Sequence, residues 1–309
     1  MLNNIYKSTG LRNWFGAPVT GGDYKVFVIG SPYSIPVGVQ DGDFGYFLPT
    51  APTALPDRAP IVYRYKAVVP VLPTGEDIGM WLPPEVYAGT PEVWAYAVGF
   101  EDQSQLITQG FAITEVGNGL VTTSGDGFIR VQAPSDTIIF SQAFLTMPTL
   151  LGSDRFYLRC DLKNNYSGSG GSGFAQVGIV QSNTEVNTQY AFGRLLSSAN
   201  WRPEVWEETL GIWQNATTFA TTMRNGGNIN PPFPPSTPPG IYWSYEVLGQ
   251  SIDNLVDTTV NGLPMVSIRR NVDSAVAGDP MTLEVFAQGR SSGTITSQVD
   301  VRQIYLITW

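Results

Sequence analysis

Apolar and polar residues alternate along most of this chain, up to its last residues. Six segments show the alternation most clearly: YKVFVIG from Tyr24, IVYRYKAVV from Ile61, EVWAYAVGF from Glu92, GIYWSYEVL from Gly240, MTLEVFA from Met281 and VDVRQIYLITW from Val299. A period of two residues is that of a β-strand with one buried face. Helical spacing is confined to short pieces such as PPEVYAG from Pro83. The pattern predicts an all-β protein.

The chain divides near residue 104 into two predicted units. The first 20 residues have weak periodicity and several glycines, which indicates an extended arm. Prolines then punctuate short strand patterns, and the polar segment EDQSQ precedes a more regular spacing of strands. A length of 309 residues suits two domains. We predict a small N-terminal β domain with the arm over residues 1–104 and a larger domain over residues 105–309.

Composition and charge narrow the class of partner. Charged residues make up only 14% of the chain, while 33 glycines and 23 prolines favour many strands joined by turns. The formal net charge is −9, and the 17 lysines and arginines form no stripe that would neutralise phosphates, so we expect no nucleic-acid partner. The N-terminus lacks the apolar core of a secretory signal, and no run of about 18 apolar residues is present. We therefore expect synthesis in the cytoplasm and no membrane insertion.

The residue types that are missing exclude several chemistries. The chain has no histidine, which removes Ser-His-Asp and Cys-His mechanisms and the commonest metal ligand. Cys160 is the single cysteine, so an intrachain disulfide and a cysteine-based zinc site are excluded. In FYLRCDLK it alternates with Phe156, Leu158 and Leu162, and we interpret it as a buried apolar residue. The sequence predicts no cofactor.

Oxygen ligands for calcium are an alternative at two places. Asp41 and Asp43 lie in QDGDFG, and Asn271, Asp273 and Asp279 lie in NVDSAVAGD. Neither spacing is that of an EF-hand loop, and aspartate is common in turns. We interpret both groups as turn residues and assign no metal ligand.

The strongest hairpin signal of the chain is Asn261-Gly262, because both residues accept the positive φ of a type I′ turn. Around it, the succession FYLRCDL, GFAQVGIV, VNG with PMVSIRR, MTLEVFAQG and VDVRQIYLITW resembles the strands of concanavalin A-like jelly-roll domains. The resemblance covers roughly residues 105–309 and is one of pattern. It implies a jelly-roll β-sandwich for the larger domain.

With its unsignalled N-terminus, its lack of disulfides and its arm, the chain resembles virion proteins of tailed bacteriophages, such as tail fibres, receptor-binding proteins and capsid decoration proteins. The resemblance implies a non-enzymatic structural protein, made in the host cytoplasm and located in the virion. The N-terminal domain would attach to other virion proteins of the capsid or tail. The jelly roll would be displayed for host receptor or glycan binding, or for capsid decoration, and the implied assembly is a homotrimer.

The segment WRPEVWEETLGIWQ, which begins at residue 201, places three tryptophans beside three glutamates. Glycoside hydrolases need two carboxyl groups about 5–5.5 Å or about 6.5–9.5 Å apart. On a regular strand Glu204 and Glu208 share a face but lie about 13 Å apart. Laminarinase-like members of the resembled superfamily use the bulged pattern E-x-D-x-x-E, and Trp206 and Thr209 stand here where that pattern needs carboxylates.

Three interpretations stay open for this segment. Its tryptophans fill the sandwich or a subunit interface while its glutamates are solvated, or the segment binds a glycan without cleaving it. In the second case Trp201, Trp206 and Trp213 offer flat faces to a pyranose ring, and hydrogen bonds come from Glu204, Glu208, Gln214 and Asn215. The third is a carboxylate-dependent glycoside hydrolase on a β-glucanase-like jelly roll.

The C-terminal segment predicts a core strand. Val299, Val301, Tyr305, Ile307 and Trp309 alternate with more polar residues. We expect these five residues to face the core on one side of the strand.

Overall fold

The computed structural model describes residues 24–48, 60–71, 75–97, 103–124, 128–135, 141–151, 155–164, 173–183, 188–197, 201–207, 212–215, 243–250, 255–260, 263–269, 280–289 and 296–309. Its elements, in chain order, are β1 (Val26–Ile29), β2 (Phe44–Phe47), β3 (Ile61–Val71), β4 (Glu76–Leu82), α1 (Pro84–Tyr87), β5 (Glu92–Ala97), α2 (Gln103–Thr108), β6 (Ala112–Val116), β7 (Leu120–Ser124), β8 (Phe128–Pro134), β9 (Ser141–Leu151), β10 (Arg155–Asn164), β11 (Gly173–Asn183), β12 (Thr188–Ser197), β13 (Trp201–Glu207), β14 (Ile212–Asn215), β15 (Trp243–Gln250), β16 (Leu255–Val260), β17 (Leu263–Arg269), β18 (Pro280–Gly289) and β19 (Thr296–Thr308).

The described strands form two sheets. The main path of the twelve-stranded sheet runs β1-β2-β3-β5-β19-β10-β15-β16-β17, with β4 beside β3, β8 beside β19, and β7 beside β8. The seven-stranded sheet runs β14-β13-β12-β11-β18-β9-β6. Each of the six segments with the clearest alternation overlaps one of these strands. The prediction of an all-β fold built on a jelly-roll sandwich is confirmed.

The two sheets pack face to face through alternate residues of their strands. Val177 of β11 and Val285 of β18 are opposite one another and fully buried. Gly289 has the same parity on β18, and a Cβ atom there would collide with the carbonyl group of Pro134 on β8, in the other sheet. This parity therefore marks the inner face of the seven-stranded sheet. Residues of the opposite parity lie on the other face, called the outer face here, and on β18 these residues are also buried: Glu284, Phe286 and Gln288 are 6%, 5% and 6% exposed.

The described part of residues 24–97, called the N-terminal region here, contributes β1 to β5 to the twelve-stranded sheet and packs against the face of β10 and β19 that carries Tyr157 and Tyr305. A shared core joins the two parts: Val69, Val71, Met80, Leu82, Val86 and Val93 of the N-terminal region, with Tyr157, Tyr305 and Ile307 of β10 and β19. Strand β10 is consequently buried on both faces, since Phe156 and Leu158 are fully buried as well. Burial of this apolar surface stabilises the contact between the N-terminal region and the jelly roll.

Strand β19 contains a bulge that changes the side to which its residues belong. The register with β10 shifts by one residue at Arg302. Because of that shift, Val301 shares a side with Ile304, whereas Tyr305 and Ile307 lie in the core shared with the N-terminal region. The prediction that the five apolar residues of this strand face one core is therefore wrong. An extra residue in a bulge reverses the alternation of the residues that follow it.

The boundary predicted near residue 104 stays a prediction. Described residues on its two sides belong to one sheet, because β5 pairs with β19 from Glu92 to Ala97. The polar segment proposed as the boundary leads into the six-residue helix α2. The arm predicted for the first 20 residues lies outside the described residues.

The two helices of the described residues are short. Helix α1 forms where the sequence shows helical spacing, with Pro84 at its first position, where a missing N–H is tolerated. No helix among the described residues is long and apolar enough to cross a membrane.

The predicted hairpin at residues 261–262 is confirmed by the strands that flank it. Strands β16 and β17 are antiparallel neighbours, and Val260 pairs with Leu263. Two residues between paired strand ends are the shortest common hairpin connection.

Asp41 and Asp43 close a loop, as the turn interpretation predicts. The Asp43 carboxylate is 1% exposed and accepts hydrogen bonds from the backbone N–H groups of Lys25 and Gln40, both at 2.8 Å. Asp41 accepts from the Ala67 N–H at 2.9 Å. These acceptors tie the loop to its neighbouring strands. The second predicted turn group, at residues 271–279, lies outside the described residues.

The loop also requires a glycine between these two aspartates. Gly42 has φ +86°, and a Cβ atom there would lie 2.8 Å from the Tyr24 ring and 3.0 Å from the Arg64 guanidinium. Both the backbone conformation and the close approach therefore exclude a larger side chain.

Cys160 is fully buried, as the alternation predicts. Burial raises the pKa of its thiol well above the usual value, the Asp161 carboxylate adds to this rise, and Arg159 opposes it. Burial and the Asp161 carboxylate therefore favour the protonated sulfur. This form is unreactive, because the thiolate is the nucleophile.

We predict that Cys160 does not react with Ellman's reagent in the folded protein. The labelling rate should stay low from about pH 7 to pH 9, because the raised pKa delays formation of the thiolate. One thiol per chain should become reactive after unfolding in guanidinium chloride. A Val37→Cys variant is the control, since Val37 is 98% exposed and its added thiol should react at once. Rapid labelling of the unmodified folded chain would contradict the burial of Cys160.

Candidate functional site

The tryptophan-rich segment contributes β14, the edge strand of the seven-stranded sheet among the described residues, and β13 beside it. Trp201, Glu204 and Trp206 lie on β13, and Trp213 lies on β14, which ends the sheet among the described residues. Glu208 lies outside the described residues. The glycan-binding role of these five residues stays a prediction, and the register of their backbones shows which of them come together.

The register places two tryptophans directly opposite each other. Trp206 pairs with Trp213, and Glu204 pairs with Asn215 two positions away. Cβ atoms of opposite residues are about 4.5–5.5 Å apart, and positions two apart on a strand are separated by about 7 Å. An aromatic pair and a polar pair are thus adjacent on one face. The pairing from Glu204 to Glu207 is regular, without the bulge that the laminarinase-like pattern uses.

Glu204 belongs to a row of residues that crosses all seven strands. The row, read from strand to strand, is Ala112, Thr146, Glu284, Gly178, Arg194, Glu204 and Asn215. In this row Gly178 pairs with Glu284, and the next pair along the two strands is Val177 with Val285 of the inner face. Successive residues of a strand face opposite sides, so the row lies on the side opposite to Val177 and Val285. The row therefore belongs to the outer face of the sheet, and so do the positions of Trp206 and Trp213.

Trp201 belongs to the other parity. It pairs with Ser197, which pairs with Ala175, a fully buried residue of the inner face. The register thus separates Trp201 from Trp206 and Trp213. Sequence reasoning grouped the three tryptophans by composition, and only two of them share a face.

A cluster of charged and tyrosine side chains lies between the N-terminal region and the jelly roll. Arg159 of β10 is 1% exposed, and its Nη1 donates hydrogen bonds to the Tyr63 hydroxyl and to Glu246 Oε1. Its Nε donates to the Tyr33 hydroxyl at 3.0 Å, and its Nη2 lies 3.7 Å from Asp161 Oδ1. The Tyr63 hydroxyl in turn donates to Glu246 Oε1 at 2.6 Å. We call these five residues the Arg159 cluster.

Aromatic rings surround the guanidinium of this cluster. The Arg159 Cζ atom lies 5.3 Å from the Tyr33 ring centroid, 5.5 Å from that of Phe47 and 5.4 Å from that of Tyr63. All three rings come from the N-terminal region. A desolvated cation over aromatic faces is favourable, so these contacts add to the hydrogen bonds that join the two parts.

Two members of the Arg159 cluster, Arg159 and Tyr33, have shifted pKa values. Burial lowers the pKa of Arg159, but the oxygens of Tyr33, Glu246 and Asp161 outweigh burial and raise it above the usual value. Burial, followed by the Asp161 carboxylate, raises the pKa of Tyr33 well above its usual value. Arg159 therefore stays charged and Tyr33 neutral at ordinary pH. The hydrogen bonds from Arg159 to Tyr33 and Tyr63 connect the jelly roll to the N-terminal region.

Sequence reasoning missed the Arg159 cluster. The signal was an arginine in the middle of FYLRC, a strand with apolar residues on both sides. Its partners Tyr63 and Glu246 are separated from it by 96 and 87 positions, a distance over which alternation carries no information.

No group of three acidic or cysteine side chains among the described residues is arranged to hold a metal ion.

Comparison with known proteins found likenesses in structure only. No protein-family model matches the chain, and no curated protein matches its sequence. The carbohydrate recognition domain of Emp47p is 14% identical, with a TM-score of 0.39, over 64% of this chain and 88% of that domain. A lectin from Bauhinia forficata in complex with GalNAc is 11% identical, with a TM-score of 0.39, over 69% of this chain and 96% of the lectin.

Two further solved structures are enzymes by name. The alginate lyase PA1167 from Pseudomonas aeruginosa is 13% identical, with a TM-score of 0.41, over 69% of this chain and 97% of the lyase. A sialidase is 12% identical, with a TM-score of 0.42, over 79% of this chain, which spans only 20% of the sialidase. Likeness at this level concerns the fold and says nothing about the ligand of this chain.

We predict that Arg159→Met lowers the free energy of unfolding by about 3–5 kcal/mol, because it leaves the buried Glu246 carboxylate without its cation. The double variant Arg159→Met with Glu246→Leu should recover much of this loss, since both charges are then absent. Urea denaturation followed by tryptophan fluorescence measures both. Arg155→Gln, on the same strand, is the control and should change stability by less than about 0.5 kcal/mol. An Arg159→Met variant as stable as this control would show that the cluster does not connect the two parts.

Proposed function

We propose that this chain is a non-enzymatic glycan-binding protein, and that its ligand binds on the outer face of the seven-stranded sheet at β13 and β14. The observation that carries the proposal is the register pairing of Trp206 with Trp213 beside the polar pair Glu204 and Asn215. The edge position of β14 among the described strands supports it, because a ligand approaches an edge from two sides.

The chemistry of sugars fits this arrangement of positions. A pyranose ring has an apolar face that packs on an aromatic ring and hydroxyl groups at its rim that need hydrogen-bond partners. Two opposite tryptophans give a broad aromatic platform, and the polar pair lies about 7 Å along the strands. A site of this kind binds through stacking and orients its ligand through hydrogen bonds.

The spacing of carboxylates favours binding over hydrolysis. In the row of Glu204 the other acid is Glu284, three strands away, which corresponds to about 14 Å at the usual spacing between strands. Glycoside hydrolases need about 5–9.5 Å. The alternative, a carboxylate-dependent glycoside hydrolase, would need a second acid from another part of the chain.

We predict that Trp206→Ala lowers affinity for a glycan ligand by roughly tenfold or more, because it removes half of the aromatic platform. A glycan array identifies the ligand, and isothermal titration calorimetry measures the affinity. Trp201→Ala, on the same strand but of the other parity, is the matched control. The folded fraction of that variant should bind as the unmodified chain does. Equal losses in both variants would argue against the outer face, and release of reducing sugar that Glu204→Gln abolishes would establish the hydrolase instead.

We further propose that the chain is a virion protein that attaches to other virion proteins through its N-terminal region and displays the jelly roll, as a homotrimer. An exposed apolar row supports this proposal: Val28, Tyr46 and Val62 are cross-strand neighbours on β1, β2 and β3. They are 74%, 39% and 46% exposed. Exposed apolar patches mark interaction surfaces, and another virion protein is the occupant that the proposal assigns to this row.

We predict that Val28→Asp prevents incorporation of the chain into particles, because a carboxylate would be buried in the attachment surface. The glycan affinity of the isolated variant should be unchanged, since Val28 is already exposed and lies in the N-terminal region. Immunoblotting of purified particles measures incorporation, and Val37→Asp, at a position that is 98% exposed, is the control. Absence of the unmodified chain from purified particles would refute the virion assignment and leave the glycan-binding proposal standing.

A further inference from the structure

The outer face around the proposed site carries an unusual charge for this protein. Three charged residues have outer-face parity on the register-paired parts of β12, β13 and β14: Arg194, Arg202 and Glu204. Their sum is +1, in a chain whose net charge is −9 and which has only 17 basic residues. Both arginines share the face of the aromatic pair: Arg194 is a diagonal neighbour of Trp206 across β12 and β13, whereas Arg202 lies four positions from Trp206, about 13 Å along β13.

The register distinguishes the two arginines. Arg194 pairs with Glu204, so a negative residue lies directly across the strands from this arginine. Arg202 pairs with Leu196, which carries no charge. Arg202 is also two positions from Glu204 on β13, which places it on the same face, and its diagonal separation from Arg194 is about 7–8 Å.

Arginine is the side chain best suited to anionic groups of a ligand. Its planar guanidinium presents parallel N–H donors that match the two oxygens of a carboxylate or sulfate, and it keeps its charge at all ordinary pH values. A neutral sugar gains little from such a group, whereas an acidic sugar gains a charge-assisted hydrogen bond.

We propose that the glycan bound at β13 and β14 is acidic, bearing carboxylate or sulfate groups, and that Arg202 and Arg194 determine this specificity. The proposal rests on the proposed function, because it names the ligand class of the same site. Trp206 and Trp213 supply stacking that any pyranose shares, and the two arginines select the charged one.

The experiment compares ligands that differ only in charge. Binding of oligogalacturonate and of its fully methyl-esterified form is measured by isothermal titration calorimetry, with sulfated and unsulfated dextran as a second pair. The unmodified chain should bind the acidic member of at least one pair at least tenfold more tightly than the neutral member. Added salt should weaken only the acidic interaction.

The variants identify the residues responsible. Arg202→Gln should lower affinity for the preferred acidic ligand about tenfold, because one charge-assisted hydrogen bond is lost. Affinity for the neutral member of the same ligand pair should be unchanged. Arg155→Gln makes the same change of charge on β10, in the other sheet, and should have no effect.

Each outcome separates the two proposals. Selectivity lost in Arg202→Gln but kept in Arg155→Gln supports the inference, and the pair that shows it tells carboxylate from sulfate. Equal binding of acidic and neutral members, still lost in Trp206→Ala, would overturn the inference and leave glycan binding standing. An equal loss of affinity in Arg202→Gln and Arg155→Gln would show that only the net charge of the chain matters. That result would also overturn the inference. No binding to any glycan, on the array or in solution, would overturn both.

Discussion

The arrangement of the whole molecule depends on how one long strand is paired on both of its edges. β19 pairs with β10 on one edge, while on the other its first half pairs with β8 and its second half with β5. The bulge at Arg302 lies where these partners change, and it turns alternate residues from one core to the other. Val301 is thereby buried with the sandwich and Ile307 with the N-terminal region. A regular strand would direct both residues to the same side.

The Arg159 cluster lies beside this junction and gives it a defined geometry. An apolar core alone tolerates sliding of one part against the other, whereas hydrogen bonds from one guanidinium to Tyr33, Tyr63 and Glu246 require particular distances and directions. A buried ion pair generally adds little net stability over apolar residues of similar size, whereas removing one partner leaves a buried charge unpaired. The N-terminal region and the jelly roll consequently present the exposed apolar row and the outer sheet face as parts of one folded unit.

The proposed site follows from sheet register in the same way that the cores do. Trp206 and Trp213 are seven positions apart in the chain and become opposite neighbours because β13 and β14 are antiparallel. The pairing of β12 with β13 places Arg194 beside Glu204 and Leu196 beside Arg202. The proposed binding face thus depends on which residues share a row, because a shift of one residue in register would place Trp206 and Trp213 on opposite faces.

Local patterns in the sequence determined the fold class, the strand positions, the hairpin at residues 261–262, the turn role of Asp41 and Asp43, and the burial of Cys160. They did so because a period of two, an Asn-Gly turn and an aspartate in a loop act on residues that are close in the chain. Tertiary structure alone decided the reversal of faces in β19, the partners of Arg159 and the separation of Trp201 from Trp206. Each of these depends on pairing between strands that are distant in sequence, and the side-chain pattern of a single strand contains no record of its partner.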